Sequence, residues 1–422
     1  MYSHAHNVLP PRYTARALRR RMVLATPASS GAQNRPSVLE LRVIGPLAHA
    51  CQPYLPGFGS TNGVPALFRD RRQPVSTGRL RANKPALTAV EICAGAGGQA
   101  IGLAQAGFEH VAAVEIDKHA CATLRMNRPR WRVYEQDLRN FSGVGFRGVD
   151  LLAGGVPCPP FSIAGKRLGA NDERDLFPEA LRLVEELQPT AVMLENVRGF
   201  ASEKFTPYRT SIFRRLERMG YVPSWRVLNA SDYGVPQLRP RFLLVALKPA
   251  AAGHFEWPRA SRRKPTVGST IEDLMASGGW PGAPSWVQGA QAMAPTIVGG
   301  SKKHGGPDLG PTRARREWLK LGVDGLGIAN APPGPDFPIG KPPKLTVRMV
   351  ARIQGFPDDW EFSGGKTAAY RQVGNAFPPP VARAVGEAIR RALAKAAVQP
   401  SVIRQVPRQL QFEEPDLPLA GT

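Results

Sequence analysis

The sequence feature that most constrains the fold is an alternation, between residues 87 and 194, of short apolar runs with segments of helical periodicity. The runs have strand length, and the segments between them space their apolar residues as helices do. A chain with this alternation builds a parallel sheet covered by helices. We therefore predict an α/β fold with a doubly wound, mostly parallel sheet. The predicted strands are residues 87–92, 111–116, 133–134, 149–153 and 191–194, the predicted helices are 97–107, 119–126 and 176–187, and two closing strands are 222–228 and 242–247.

Composition divides the chain into further regions. Residues 1–86 carry 13 Lys+Arg but only two acids and have weak hydrophobic periodicity, so we predict a disordered basic extension. It is a phosphate-binding arm, an Arg-rich targeting segment or a translated leader without function. Residues 250–340 are rich in Gly, Pro and basic residues and are predicted to be a small separate domain, irregular or β-rich. The remaining predicted regions are a catalytic core at 87–249, a return to it at 341–396 with helices at 346–354 and 380–396, and a disordered tail at 397–422.

The charge of the chain favours a polyanionic partner. It carries 56 Lys+Arg against 33 Asp+Glu, a net charge of +23, and nucleic acid is the commonest partner of such a protein. A basic protein without a nucleic-acid role has the same composition. The sequence contains no run of 18 apolar residues, so we predict no membrane span. The four cysteines lack metal-ligand spacing and are too few for a disulfide framework, so we expect a reducing cytoplasm and no metal site.

A glycine-rich loop, Glu91-Ile-Cys-Ala-Gly-Ala-Gly-Gly, follows the first predicted strand. Its glycines let the backbone approach a ligand, and the helix that it opens presents free N–H groups to an anion such as a carboxylate. A tight strand–helix turn has the same composition. The next strands favour a ligand, because Glu115 ends the second one where an acid binds ribose hydroxyls. Asp137 follows the third strand and can accept from an adenine amino group, so we predict a nucleoside cofactor.

The most reactive candidate is Cys158, which lies between prolines in Pro-Cys-Pro-Pro-Phe-Ser after the fourth predicted strand. Proline fixes φ and removes a backbone donor, so the thiol has a stiff mount outside the packed interior. Its ordinary pKa of about 8.5 means that nucleophilic attack requires deprotonation. Glu195 ends the fifth predicted strand, where a partly buried carboxyl tends to keep its proton and act as a general acid. Asn196 is placed to orient that carboxyl.

Three long donors follow in Gln237-Leu-Arg-Pro-Arg. Period-two alternation puts Gln237, Arg239 and Arg241 on one face of an extended segment. Such a face suits phosphates or the edge of a base, although a solvated basic strand gives the same pattern.

Together these motifs resemble the DNA (cytosine-5)-methyltransferase family, of the bacterial restriction-modification type. The resemblance covers residues 87–247 and 341–385 and includes Arg352-Ile-Gln-Gly-Phe-Pro and Gln372-Val-Gly-Asn-Ala-Phe-Pro-Pro. It implies a Rossmann-like catalytic domain of class I S-adenosylmethionine-dependent methyltransferases. Residues 250–340 fall where the family keeps its target-recognition domain.

The resemblance also implies roles for individual residues. Cys158 attacks C6 of a flipped cytosine and Glu195 donates a proton to N3. Arg241 binds O2, and Arg239 supports Glu195 or a phosphate. The implied contacts to S-adenosylmethionine are Cys93, Gly95, Gly97, Gly98, Glu115, Ile116, Asp137, Pro157, Leu176 and Asn375. The implied DNA contacts are Ser162, Lys166, Gln237, Lys302, Lys303 and Arg313.

Two positions depart from the family pattern. Cys93 stands where the family often has a phenylalanine against adenine, which affects cofactor affinity. Pro159 stands where it usually has a glutamine after the nucleophile, which affects how the place of the flipped base is filled.

Three alternative functions remain at this stage. An adenine N6 or cytosine N4 methyltransferase is disfavoured, because Cys158 is a weak acceptor for an amino hydrogen. An RNA methyltransferase of the same fold is disfavoured by the large basic insertion, and a silent DNA-binding relative by the intact Cys158, Glu195 and Arg241. We predict a cytoplasmic monomer that acts on double-stranded DNA and uses no metal. A cognate restriction endonuclease, where one exists, would act as a separate protein.

Overall fold

The computed structural model describes residues 86–157, 175–299 and 307–398. Almost all of the predicted basic extension and tail lie outside these ranges. So do five of the predicted site residues, which are Cys158, Ser162, Lys166, Lys302 and Lys303.

A seven-stranded sheet forms the centre of the described chain, in the order β3-β2-β1-β4-β5-β7-β6. Strands β1 to β5 run parallel to one another, and β7 is antiparallel to both β5 and β6. The predicted α/β fold with a doubly wound, mostly parallel sheet is confirmed. The strands are β1 (Leu87–Ile92), β2 (Phe108–Glu115), β3 (Val133–Glu135), β4 (Leu151–Gly155), β5 (Ala191–Val197), β6 (Val222–Asn229) and β7 (Pro240–Leu247).

Helices cover both faces of this sheet, because successive side chains of each strand point to opposite sides. Val90 of β1 belongs to one hydrophobic cluster with Leu183, and its neighbour Ala89 belongs to another with Leu103 and Val385. No described helix is long and apolar enough to cross a bilayer. The helices are α1 (Gly98–Gln105), α2 (Lys118–Asn127), α3 (Phe177–Leu187), α4 (Thr206–Arg218), α5 (Pro249–Ala252), α6 (Val267–Ala276), α7 (Ala283–Gly289), α8 (Thr312–Lys320), α9 (Val347–Gln354), α10 (Lys366–Asn375) and α11 (Pro379–Val398).

The region from residue 250 to 340 differs from its predicted character. We expected an irregular or β-rich segment, but its described part contains the helices α6, α7 and α8. Trp286 and Trp318 from these helices share a hydrophobic cluster with Met349 and Ile353 of α9. Burial of these apolar side chains stabilises short helices that have little stability in isolation. The described part of this region therefore packs directly on the C-terminal helices.

The sheet topology brings the polar residues predicted for the site to one edge. Glu115 and Glu195 lie at the carboxyl ends of β2 and β5, and Pro157 lies two residues beyond β4. Ligands of open α/β sheets bind in the crevice outside these strand ends. The end of α10 and the segment that follows it contribute a second wall there, through Asn375, Ala376 and Phe377.

Candidate active site

The glycine-rich loop between β1 and α1 has the backbone conformation that its sequence predicts. Gly95 and Gly97 have φ of 54° and 89°, in the left-handed region that glycine adopts at no steric cost. A Cβ at Gly97 would lie 2.8 Å from the Trp360 ring. The indole Nε1 of Trp360 also donates to the Ala96 carbonyl at 3.0 Å. Trp360 therefore holds the loop from outside, and Gly97 is required for its close approach.

Glu115 is fixed by three backbone donors at the end of β2. Its Oε2 accepts from Gly95 N at 2.8 Å, and its Oε1 accepts from Ile116 N at 2.9 Å and Asp117 N at 2.8 Å. This geometry ties the glycine-rich loop to the neighbouring strand. Asp137 follows β3 and accepts from Arg139 N at 2.9 Å. Both carboxylates line the same cavity.

That cavity has a volume of about 500 Å³ and lies outside the carboxyl ends of the central strands. Such a volume is typical of a small-molecule cofactor site. Of the residues predicted to bind the cofactor, Gly97 is not among those that line it, since it packs beneath Trp360. The predicted cofactor residues that line it are Cys93, Gly95, Gly98, Glu115, Ile116, Asp137, Pro157, Leu176 and Asn375.

Several further cavity residues were not predicted from the sequence, among them Gln99, Leu138, Arg371 and Phe377. Leu138 directly follows the predicted ligand Asp137, and Phe377 lies within the motif that begins at Gln372, so proximity alone could have suggested them. Gln99 comes directly after the glycines. Arg371 lies on α10, and that helix was not predicted.

Cys93 lines this cavity with a thiol of low reactivity. Burial raises the pKa of the Cys93 thiol, and the negative charges of Glu115 and Asp137 raise it further. A thiol whose pKa lies above its ordinary value stays protonated at neutral pH. Cys93 is therefore a packing residue of the cavity wall.

Glu195 and Arg241 form an ion pair on adjacent antiparallel strands. Arg241 Nε lies 2.9 Å from Glu195 Oε1, and the two side chains are 13% and 14% exposed. Burial raises the pKa of Glu195, and the positive charge of Arg241 opposes this effect only in part. Burial has the greater effect, because both side chains are largely withdrawn from water. Glu195 also lines the cavity.

The backbone that leads to Cys158 is tied to the same strand. Val156 N donates to the Glu195 carbonyl at 3.2 Å, and Asn196 Nδ2 donates to the Val156 carbonyl at 2.8 Å. Leu176 N donates to the Pro157 carbonyl at 3.3 Å. Asn196 therefore holds the approach to the nucleophile loop, in addition to its predicted place beside Glu195. Cys158 follows Pro157 in the chain and lies outside the described residues.

Gln237 differs from its predicted role as a DNA contact, because the structure places it inside the protein. Its side chain is fully buried. Nε2 donates to Gln354 Oε1 at 2.6 Å, and Oε1 accepts from Ile297 N at 2.9 Å. The segment that contains Ala294 and Ile297 covers this face, since Leu238 N donates to the Ala294 carbonyl at 2.8 Å.

Arg239 is also buried, with 1% of its surface exposed. It donates to the carbonyl of Ile297, to Gly374 O at 2.8 Å and to Ala376 O at 2.9 Å. Burial, followed by the nearby charge of Arg241, lowers the pKa of its guanidinium. Its hydrogen-bond acceptors are these backbone carbonyls and, at 3.4 Å, Gln237 Oε1. In this structure Arg239 therefore holds the backbone on which it donates, and its predicted support of Glu195 or of a phosphate stays a prediction.

The predicted DNA contacts are only partly within the described chain. Arg313 lies on α8 and is exposed.

The residues described include no group of three or more His, Cys, Asp or Glu side chains that could hold a metal ion.

Comparison with known proteins identifies the family. Residues 87–391 match the family model described as C-5 cytosine-specific DNA methylase. The Type II methyltransferase M.NaeI of Lentzea aerocolonigenes is 58% identical over 311 residues, which cover 73% of this chain and 75% of that protein. The Type II methyltransferase M.NgoMIV of Neisseria gonorrhoeae is 54% identical over 312 residues, which cover 73% of this chain and 98% of that protein.

Among solved structures, the methyltransferase EhMeth of Entamoeba histolytica aligns with a TM-score of 0.53 over 74% of this chain and 99% of its own, at 16% identity. This likeness supports the fold. The family match spans well over half of the chain and contains the glycine-rich loop, the nucleophile motif, Glu195 and Arg241. The family acts on DNA and implies S-adenosylmethionine as its methyl donor. The chain therefore belongs to the C-5 cytosine-specific DNA methylase family and is a DNA (cytosine-5-)-methyltransferase.

Proposed function

We propose that this enzyme methylates cytosine C5 at one short DNA sequence, as the methyltransferase of a type II restriction-modification system. The observation that carries the chemistry is the buried Glu195–Arg241 pair, which lies beside the backbone that leads to Cys158 and whose Glu195 lines the cofactor cavity. The similarity to two Type II methyltransferases at 58% and 54% identity supports the biological setting.

The cavity fits S-adenosylmethionine by the chemistry of its lining. Glu115 offers a carboxylate, already held by backbone donors, to the ribose hydroxyls, and Asp137 offers an acceptor to the adenine amino group. The Ile116 side chain lines the cavity and is 66% exposed, so it presents an apolar surface to the adenine ring. S-Adenosylmethionine, when bound, supplies an electrophilic methyl group on its sulfonium.

The residues of the chain then act on the base. Cytosine is flipped from the duplex, which costs a few kcal/mol. The Cys158 thiolate forms a bond to C6, and Glu195 donates its proton to N3, so negative charge does not accumulate on the ring. Arg241 binds O2 and keeps the Glu195 carboxyl in place. C5 becomes nucleophilic and accepts the methyl group. Loss of the C5 proton to a base then expels the Cys158 thiolate, and the N3 proton returns to Glu195, which restores the neutral aromatic ring.

The remaining parts of the proposal concern partners. Arg313, Ser162, Lys166, Lys302 and Lys303 contact the DNA. The enzyme works as a monomer in the cytoplasm without a metal, and a cognate endonuclease recognises the same sequence as a separate protein. Support for the DNA contacts comes from the net charge of +23 and from the exposure of Arg313.

The test is base-resolution mapping of methylation in DNA from a methylation-free host that expresses the chain. We expect 5-methylcytosine at one recurring short sequence. Cys158→Ser is expected to remove this signal while binding of S-adenosylhomocysteine by the purified protein is retained, because the serine hydroxyl is a far weaker nucleophile than a thiolate.

The matched control is Cys51→Ser, which changes a cysteine outside the family match and is expected to leave methylation intact. Methylated adenine or N4-methylcytosine would contradict the reaction. Full activity of Cys158→Ser would exclude the covalent mechanism.

A further inference from the structure

The Gln99 side chain is an unpartnered polar group in the wall of the cofactor cavity. Gln99 is the second residue of α1, directly after the glycine-rich loop, and is only 4% exposed. Among the described residues, neither its Oε1 nor its Nε2 has a hydrogen-bond partner. Buried amides are nearly always hydrogen-bonded, because leaving them unpaired costs their solvation. The cavity that Gln99 lines is where a partner can enter.

The surroundings of Gln99 favour a ligand group that carries negative charge. The first turn of α1 contains no acidic residue, and its N-cap, Gly97, makes no side-chain hydrogen bond. The start of this helix therefore presents the positive end of the helix dipole, although the Ala100 N–H already donates to the Glu91 carboxyl. The buried acid Glu91 also lines the cavity, but His110 Nε2 lies 2.8 Å from its Oε2 and so offsets its effect on an incoming anion.

The ribose, the adenine and the target base each have a place elsewhere in the cavity, which leaves the amino-acid end of the cofactor for the wall that contains Gln99. Glu115 and Asp137, at the ends of β2 and β3, suit the ribose and adenine. Glu195, at the end of β5, marks the side of the target base. The amino-acid end, with its carboxylate and ammonium groups, then has the wall formed by α1 and by Asn375 of α10.

We propose that the Gln99 side chain binds the amino-acid end of S-adenosylmethionine. Its Nε2 donates to the carboxylate and its Oε1 accepts from the ammonium group. An amide is suited to both groups at once, since it is donor and acceptor. This inference rests on the proposed cofactor site and adds a specific side-chain ligand to it.

The experiment compares the binding of two ligands by calorimetry. S-Adenosylhomocysteine has the amino-acid end, whereas 5′-methylthioadenosine has the nucleoside and the sulfur but lacks that end. Gln99→Met is expected to weaken S-adenosylhomocysteine binding by about tenfold, the usual effect of losing a hydrogen bond to a charged group. The same variant should change the binding of 5′-methylthioadenosine by less than about twofold. The melting temperature of the ligand-free variant should equal or exceed that of the wild type, because an unpaired amide is removed.

Gln105→Met is the matched control, since it makes the same change on the exposed last turn of α1 and should affect neither ligand. Gln99→Glu is the second variant and keeps the size of the side chain. Its carboxylate should repel that of S-adenosylhomocysteine and again leave 5′-methylthioadenosine binding unchanged.

Equal affinities of wild type and both Gln99 variants for S-adenosylhomocysteine would overturn the inference. So would equal losses for both ligands, which would indicate a structural role. If the wild-type protein bound neither ligand, the proposed cofactor site itself would fail along with the inference. If the wild-type protein bound both ligands and the Gln99 variants bound each of them as tightly as the wild type does, the inference would fail and the cofactor site would stand.

Discussion

Glu195 is subject to two opposing effects on its proton. Arg241, at 2.9 Å, favours the charged carboxylate, while burial favours the neutral acid and has the larger effect, so the pKa is raised. A carboxyl group with a raised pKa keeps its proton to a higher pH than an ordinary glutamate does, which favours a role as general acid. Arg241 at the same time fixes the orientation of that carboxyl. In this pair Glu195 is therefore the proton donor and Arg241 fixes its orientation.

The pH dependence of Glu195→Gln tests this role. An amide cannot transfer a proton, so we expect kcat/KM to fall by about 10²-fold or more. In the wild type, kcat/KM should rise with pH as Cys158 ionises and should decline at higher pH, because the protonated form of Glu195 is lost as pH passes its raised pKa. Glu195→Gln should keep the rise and lose the decline. Single-turnover methylation rates over a pH series measure both effects.

The matched control for this variant is Glu217→Gln, which changes an exposed glutamate on α4 and should retain the wild-type profile. An alkaline decline that persisted unchanged in Glu195→Gln would assign that titration to another group.

At the scale of elements, Arg239 joins three segments that are distant in sequence. From the position just before β7 it donates to Ile297, in the segment after α7, and to Gly374 and Ala376, on either side of Asn375. A guanidinium remains charged in proteins, so its burial is costly unless its donors are satisfied. The three carbonyls accept from its two terminal amino groups, while its Nε has no partner among the described residues. The bonds also hold the backbone around Asn375, which lines the cofactor cavity.

Arg239→Met should therefore destabilise the protein and weaken cofactor binding together. We expect the free energy of unfolding to fall by about 3 kcal/mol, because a buried charged network is broken and carbonyls lose their donors. We also expect weaker binding of S-adenosylhomocysteine, since Asn375 loses its support. Urea unfolding and calorimetry measure the two quantities.

Arg226→Met provides the comparison for Arg239→Met. Arg226 is an exposed arginine of the neighbouring strand β6, and its loss should cost less than about 0.5 kcal/mol. An unfolding free energy of Arg239→Met equal to that of Arg226→Met would show that the three bonds contribute nothing to stability.

Most of the sheet could be predicted because parallel strands are buried on both faces and appear as continuous apolar runs. Leu151-Leu-Ala in β4 and Ala191-Val-Met-Leu in β5 are such runs. Helices α6 to α8 could not be predicted in this way, since they have seven to ten residues and Gly and Pro separate them. Their stability depends on packing against α9, which the local sequence does not encode.

The site was predictable to a similar extent. Glu115 and Glu195 followed from their positions at strand ends, because parallel strands bring those ends to one edge of the sheet. Gln237 and Arg239 were assigned to an accessible face. Alternation shows which side chains share a face, but it does not show whether that face meets solvent or another segment of the chain. Here the segment around Ile297 covers it.

At the scale of the whole molecule, the positive charge is unevenly distributed along the chain. Residues 1–86 carry 13 Lys+Arg and two acids, so they supply 11 of the 23 net positive charges. They also precede the family match, which begins at residue 87. In M.NgoMIV the matched residues make up 98% of the protein, so that relative has no counterpart of comparable length. We therefore expect residues 1–86 to act on DNA through charge and to contribute nothing to the chemistry.

Deletion of residues 1–80 tests this expectation. The rate of methyl transfer at saturating DNA should be unchanged, because the deletion removes no part of the family match. Binding of DNA should weaken, and the dependence of log K on log salt should become shallower by about 0.9 for each phosphate contact that is lost.

A full-length variant with Arg19→Gln, Arg20→Gln and Arg21→Gln should show part of this change. A variant with lysine at the same three positions should behave as the wild type, because charge and not arginine geometry is responsible. A lower rate of methyl transfer at saturating DNA would instead make the extension part of the catalytic structure, and an unchanged salt dependence would exclude it from contact with phosphates.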